Sequence, residues 1–361
     1  MTNSISAISS RPYAGPRGDE SGWLYRQIYL APRGTPFSAA LLALGDSLLV
    51  DSIGAWAAEW LAQGWSSGWF FIRYAEDGYH LRLRIHGPLS ALSGPVQARL
   101  DTGLLEFFGA NAAGLGLHRP PERSADLVAA GHMRPAEYQP EYAKYGGPAG
   151  MRLAEQHFFA SSQASLRVLA SERVAGTSRS MYALELIRAL LEAYGASPAE
   201  QALLLHSHAD YWLRVLPAAD QAAFAANLEV QYQRRKATLA QRLGAGPGLE
   251  QTAACAPVFA SWREHLADNF RQLRQLEAAG QISSPLAGHL ATFDALAAAR
   301  RLGQTPVSSF VIALNYLHLL LNRLGLHVGQ EIQLVYLLYR HLEDCTGQPS
   351  PSLPLLLEPP N

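Results

Sequence analysis

The segment FIRYAEDGYHLRLRIHG, residues 71–87, concentrates side chains that bind and orient charge. Run as a strand, it sends successive side chains to opposite faces. His80, Arg82, Arg84 and His86 then share one face, and Leu81, Leu83 and Ile85 the other. Two permanent cations flanked by imidazoles suit a carboxylate or a peptide carbonyl, because guanidinium offers a rigid fork of donors. The same pattern also fits a solvated sheet face over an apolar core. A second segment, Glu141 to Gly147, sets Tyr142, Lys144 and Tyr145 before a Gly-Gly pair that permits positive φ or close backbone approach. In a third, residues 306–325, helical spacing puts Ser308, Asn315, His318 and Asn322 on one side among Leu, Val, Ile and Phe. Buried amides and imidazoles need partners, so this stripe either holds a structural network or lines a site.

Other chemistries find little support. His206 and His208 lie in a helical pattern, where side chains two apart do not share a face, so no metal site is expected there. There is no Gly-rich phosphate loop and no CxxC, which removes the common nucleotide and redox readings. With 361 residues and a formal net charge of −1, the chain lacks the basic excess that nucleic acid demands. Cys255 and Cys345 cannot build a disulfide framework, which fits a reducing cytoplasm. The first 20 residues, rich in Ser, Pro and Gly, carry no signal-peptide pattern and are expected to be disordered. No uninterrupted apolar run reaches the ~18 residues of a membrane span. A cytoplasmic protein without nucleic-acid or membrane partner is therefore expected. Of the 29 Lys plus Arg residues, only Lys144 and Lys236 are lysine.

The elements that must position these residues follow from periodicity. Strands are predicted over 23–30, 69–75, 80–86 and 134–142, with helices over 37–63 and 89–109 between them. Glu76-Asp77-Gly78 turns the second strand into the third as a hairpin. The resulting β-α-β-β-α-β order is that of a ferredoxin-like unit with a mixed or antiparallel sheet. From about 150 the pattern is helical: 150–173, 180–194, 198–214, 219–242, 255–280, 284–301, 306–324 and 329–345. The expected class is α+β. One domain is expected over 21–346, with a sheet part (21–149), a helical part (150–346) and a Pro-rich tail at 347–361.

Taken together and in order, these segments resemble one family. FIRY, HLRLR, the Tyr-rich YGG element, a Glu-x-x-Phe helix (Glu155, Phe158) and a late Asn-Arg-Leu-Gly helix are similar to the thiopeptide-type bacteriocin biosynthesis domain. That domain is the elimination portion of nisin-type lanthipeptide dehydratases, and the resemblance spans roughly 20–345. Stand-alone relatives fall into two groups. Split elimination enzymes remove glutamate from glutamylated Ser and Thr. Pyridine synthases of thiopeptide and pyritide pathways join two dehydroalanines by a formal aza-[4+2] cycloaddition and expel water and the leader peptide.

Two departures favour the second group. Elimination domains typically carry Arg in the RYGG element, where this chain has Lys144, and Asp-Ser where it has Ser161-Ser162. A glutamyl leaving group calls for a bidentate clamp that Lys does not supply. The resemblance thus implies an enzyme acting on a ribosomal precursor peptide with its leader and needing no metal or cofactor. His318 would be acid or base, assisted by Tyr145 or Tyr316. His80, Arg82, Arg84, Lys144, Ser308, Asn315 and Asn322 would bind the substrate. The leader could add as a strand to a sheet edge, and a homodimer is the assembly to test. A peptide carrier without catalysis remains the alternative from another class.

Overall fold

The computed structural model of the protein describes residues 20–32, 34–115, 117, 119–195, 197–243, 256–283 and 307–347. The expected helix over 284–301, Cys255, the first 19 residues and the tail from 348 lie outside the described residues. The chain divides into two compact units, Met1–Tyr138 and Gln139–Asn361.

The first unit has the expected order: β1 (Ser21–Tyr29), helices, β2 (Gly68–Tyr74), β3 (His80–Pro88), helices and β4 (Met133–Ala136). The sheet runs β2-β3-β1-β4 with every pairing antiparallel, so β3 is inserted between β1 and β2 as in a split βαβ unit. Asp77 and Gly78, both at positive φ, close the hairpin between β2 and β3. The fourth strand ends sooner than expected, at Ala136 rather than 142. Its outer residues include Pro140, which has no N–H for a ladder.

Leu81, Leu83, Ile85 and Ile28 are fully buried on one sheet face. Helices α1 (Ala39–Ser47), α2 (Gly54–Ala62) and α4 (Gln97–Ala110) belong to the layer on that side. A π-helical turn, Leu48–Ile53, joins the first two. Between β3 and α4 come the short α3 (Leu89–Ala91) and a second π turn, Leu92–Val96, kinked at Gly94 before Pro95. A further short helix, α5 (Ser124–Ala129), precedes β4 and was not foreseen from the periodicity. The Ala39–Ala62 run, with a mean hydropathy of 1.4, is long and apolar enough to cross a membrane. It is interrupted by Asp46, whose buried carboxylate accepts from Arg73 Nη2 of β2 at 2.7 Å, and Arg73 Nη1 donates to Tyr79 at 2.7 Å.

The second unit is helical throughout its regular elements. Its helices are α6 (Pro148–Ala175), α7 (Arg179–Tyr194), α8 (Pro198–Val215) and α9 (Ala218–Leu243). Then follow α10 (Ala256–Ala278), α11 (Val307–Arg323) and α12 (Val328–Thr346). The Gly-Gly turn behaves as its composition suggests: Gly146 and Gly147 hold φ of 78° and 105°, and Pro148 opens α6. A Cβ on Gly150 would stand 1.8 Å from the Tyr145 carbonyl oxygen, so the chain folds back tightly on the first turn of that helix.

The Asp46–Arg73 pair ties α1 to β2, and its partners have side-chain exposures of 7% and 3%. Removing one partner of a buried pair typically costs ~3–5 kcal/mol, whereas replacing both with apolar residues is often near neutral. Arg73→Met should therefore lower the urea-unfolding free energy by about that amount. Asp46→Leu combined with Arg73→Met should recover most of the loss.

Candidate functional site

The second sheet face is built by alternation on all four strands. Tyr25 lies opposite Arg84, Gln27 opposite Arg82, and Tyr29 opposite His80, while Phe70 and Tyr74 of β2 flank Arg84 and His80. On the far side, β4 pairs Arg134 with Gln27. The four strands contain no Asp or Glu.

The guanidiniums on this face are held by rings rather than carboxylates. Arg82 lies 3.4 Å over Tyr74, Arg84 4.4 Å over Tyr25 and 5.5 Å from Tyr138, and Arg134 4.9 Å over Tyr29. His80 stacks on Tyr29 at 4.3 Å. Its Nδ1 sits 2.9 Å from the Gly78 carbonyl and must donate there, which leaves Nε2 to accept from Arg82 Nε at 3.2 Å. Burial, seconded by the charges of Arg82 and Arg134, holds this imidazole below its ordinary pKa against the pull of the Gly78 carbonyl. A neutral His80 thus fixes the Arg82 fork. Arg84 Nε and Nη1 are buried with no hydrogen-bond partner among the described residues. Desolvation draws its pKa down. Beside β4, a groove of about 550 Å³ is lined by Trp23, Pro135, Ala136, Glu137 and Tyr138. Flat cations with donors to spare, on a face without acids, are chemically fit to receive carbonyl or carboxylate oxygens.

In the second unit, α11 presents two unlike sides. Residues two apart on a helix point in nearly opposite directions, and Tyr316 and His318 do so. The Tyr316 ring stacks on His157 of α6 at 3.7 Å and 7°, lies 6.4 Å from Tyr145, and is fully buried. Burial, then the neighbouring Tyr145, pushes its hydroxyl well above the ordinary range. Tyr145 is itself fully buried and packs on Phe158 at 5.3 Å. The two tyrosines expected to assist His318 are therefore brought to each other, across the helix from it.

His318 faces α8 and α12. Its ring stacks on Trp212 at 4.4 Å, and its Nδ1 lies 2.9 Å from Oε1 of Glu331. The same oxygen accepts from His208 Nε2 at 2.6 Å. Burial pushes the Glu331 carboxyl up, but hydrogen bonds from His208 and His318 outweigh it and hold the group below the usual range. The carboxylate thus stays ionised between two imidazoles. His206, two residues from His208, points elsewhere and meets Tyr339 at 5.3 Å.

The remaining expected residues of the second unit lie on α11 and before α6. Asn315 donates back to the Val311 carbonyl within its own helix at 3.0 Å. The Ser308 backbone N–H donates to Glu277 at 2.8 Å. Asn322 is half-buried on α11. Lys144 sits 3.7 Å from Glu141 and 5.8 Å from the Tyr145 ring centre. Glu331, Trp212 and Arg134 were not singled out in the sequence, and His208 was weighed there only as a metal ligand. An acid on the buried stripe Glu331, Val335, Leu338 of α12 was a legible signal for the first.

With this geometry in hand, comparison places the fold among known proteins. The chain belongs to the family described as lantibiotic biosynthesis dehydratase C-term, whose profile matches residues 23–342. It is similar to MibB, a tRNA-dependent lantibiotic dehydratase from Microbispora sp. 107891, at 20% identity and a TM-score of 0.56, covering 95% of this chain and 29% of that one. The chain thus spans less than a third of that dehydratase. It is similar to TsrL at 17% identity and a TM-score of 0.60, covering 95% of this chain and 100% of that one. It is also similar to TbtD, the pyridine synthase from thiomuracin biosynthesis, at 20% identity and a TM-score of 0.62, covering 90% and 99%. At these identities the likeness is one of fold. No curated protein sequence matches the chain.

The buried side of α11 also sets a pH limit. His157 and His265 face each other at 5.5 Å, and burial lowers both, His265 to about 4. A base depressed in the fold leaves the unfolded chain binding more protons, so stability is complete above the unfolded value near 6.5 and lost as pH falls toward 4. For His265 that loss amounts to roughly 3 kcal/mol. The thermal midpoint should fall between pH 6.5 and 4, and fall less steeply in His265→Phe.

Proposed function

We propose that the protein is a tailoring enzyme of ribosomally made peptides that forms a pyridine-centred macrocycle from two dehydroalanines. The observation that carries this reading is Lys144. Where a glutamate-eliminating enzyme of the family would hold a planar arginine, this chain has an ammonium 3.7 Å from Glu141. A point cation already facing a carboxylate does not clamp a departing glutamate bidentately. Membership of the dehydratase C-terminal family and the fold shared with a pyridine synthase support the reading.

The chemistry asks for positioning and proton transfer. One amide must become its iminol, so that Cβ=Cα–N=C forms the four-atom partner of the second alkene. Two carbon–carbon bonds then form and one C=N remains in the ring. Loss of the iminol hydroxyl as water and of the leader as its carboxamide, each with one ring proton, makes the ring aromatic. Holding the partners in contact can supply up to about 7–11 kcal/mol of the barrier. His318 takes the amide proton and returns one to a leaving group, ending each turnover as it began. Arg82 and Arg84 engage peptide carbonyls and polarise them. The precursor arrives with its leader in the cytoplasm, where it is translated. The acid-free face of Arg82, Arg84 and Arg134 favours one second reading, elimination of a glutamyl carboxylate.

The two are separated by substrate. Given a precursor with two dehydroalanines and its leader, the purified protein should yield a pyridine macrocycle and a free leader fragment by mass spectrometry. A glutamylated precursor should release little glutamate, and efficient release would establish the second reading instead. His318→Asn should bind leader peptide as the parent does and lose turnover by ~10²–10⁴-fold, whereas Arg82→Ala and Arg84→Ala should weaken core-peptide binding as well.

A further inference from the structure

Two imidazoles from two helices meet at one carboxylate of a third. Glu331 of α12 has a side-chain exposure of 1%, and His208 of α8 has 2%. His318 of α11, at 25%, is the member of the three that reaches outward. An ionised carboxylate has only lone pairs to offer, so each imidazole nitrogen that meets it must carry the hydrogen. His318 meets it through Nδ1, at 2.9 Å from Oε1 and 3.3 Å from Oε2. A neutral imidazole has one N–H. Donation from Nδ1 therefore leaves Nε2 with a bare lone pair, on the ring edge away from the buried acid.

We propose that Glu331 and His208 are positioning residues for His318: the carboxylate fixes the Nδ1–H tautomer with Nε2 free as the base, and His208 anchors the carboxylate. This deepens the reading of His318 as acid and base and rests on it. When Nε2 accepts a proton, the resulting imidazolium already faces an anion, and no reorientation is needed. Trp212, stacked on the ring at 4.4 Å and 30°, restricts its rotation. The titratable groups that face the imidazole are Glu331 from α12 and, through it, His208 from α8. Without these partners, a histidine two residues from the buried Tyr316 would be free to adopt either tautomer.

The tautomer can be read directly, without substrate, by long-range ¹H–¹⁵N spectra of the histidine rings at alkaline pH. His318 is assigned by its loss in His318→Asn. The Nδ1–H pattern is expected, and an Nε2–H or averaged pattern would overturn the proposal. In Glu331→Gln, the amide can offer its NH₂ to Nδ1 and favour the opposite tautomer. That variant should lose turnover of the bis-dehydroalanine precursor by ~10²–10⁴-fold, bind leader peptide as the parent does, and move the acid limb of kcat/KM to lower pH. Glu331→Asp should restore part of both. A brace that merely joins the helices would lower the thermal midpoint and leave tautomer and acid limb unmoved. Should Glu331→Gln fail to fold, the parent's tautomer and the Glu331→Asp profile decide. An Nδ1–H tautomer in a protein that turns over no precursor would uphold the positioning and sink the reaction; turnover with an unmoved pH profile would do the reverse.

Discussion

The alternation of β3 governs the first unit. It pairs with both β1 and β2, so the orientation of its side chains sets that of the whole sheet. Leu81, Leu83 and Ile85 at 0–1% exposure commit one face to the core. A shift of one residue would exchange the faces and bury Arg82 and Arg84 in that core, which the cost of desolvating unpaired charge forbids. The register is thereby fixed, and with it the tyrosines of β1 and β2 that cushion the arginines. Arg73, which does fall on the core side, is buried beside Asp46.

In the second unit the corresponding constraint is the buried carboxylate of Glu331. Burial of an ion costs several kcal/mol unless donors replace water, and the donors come from two other helices. Satisfying one acid therefore draws α8, α11 and α12 to a common point, with Trp212 closing the side of the ring. The opposite side of α11 obeys a different rule. There His157, Tyr316, Trp262 and Phe270 form a closely packed aromatic cluster in which imidazoles remain neutral. One helix thus separates an imidazole bonded to a buried carboxylate from one that burial keeps neutral.

The fold is shared by a dehydratase and a pyridine synthase, so the scaffold alone does not choose between their reactions. The choice lies in a few groups. A cationic face without acids serves any oxygen-rich peptide substrate, and an imidazole backed by a carboxylate serves any proton transfer. The proposed reaction rests on Lys144, because clamping a departing carboxylate depends on donor geometry as well as charge.

What the sequence determined by itself was periodic. The β-α-β-β-α-β order, the two faces of β3 and the long helices all follow from repeats of two and 3.6, which local sterics impose on any chain. The Gly146-Gly147 turn was legible for the same local reason, a backbone conformation that other residues resist. Tertiary structure alone decided which chemistry each residue meets. Helical periodicity already sets Tyr316 and His318 on opposite sides of α11, but only packing brings Tyr145 to the side of Tyr316 and Glu331 to that of His318. The partner of His318 lies 13 residues away, and that carboxylate's other donor lies 123 residues from it. No repeat in the chain encodes such a meeting. It arises because a buried ion must find its donors wherever the packed helices bring them.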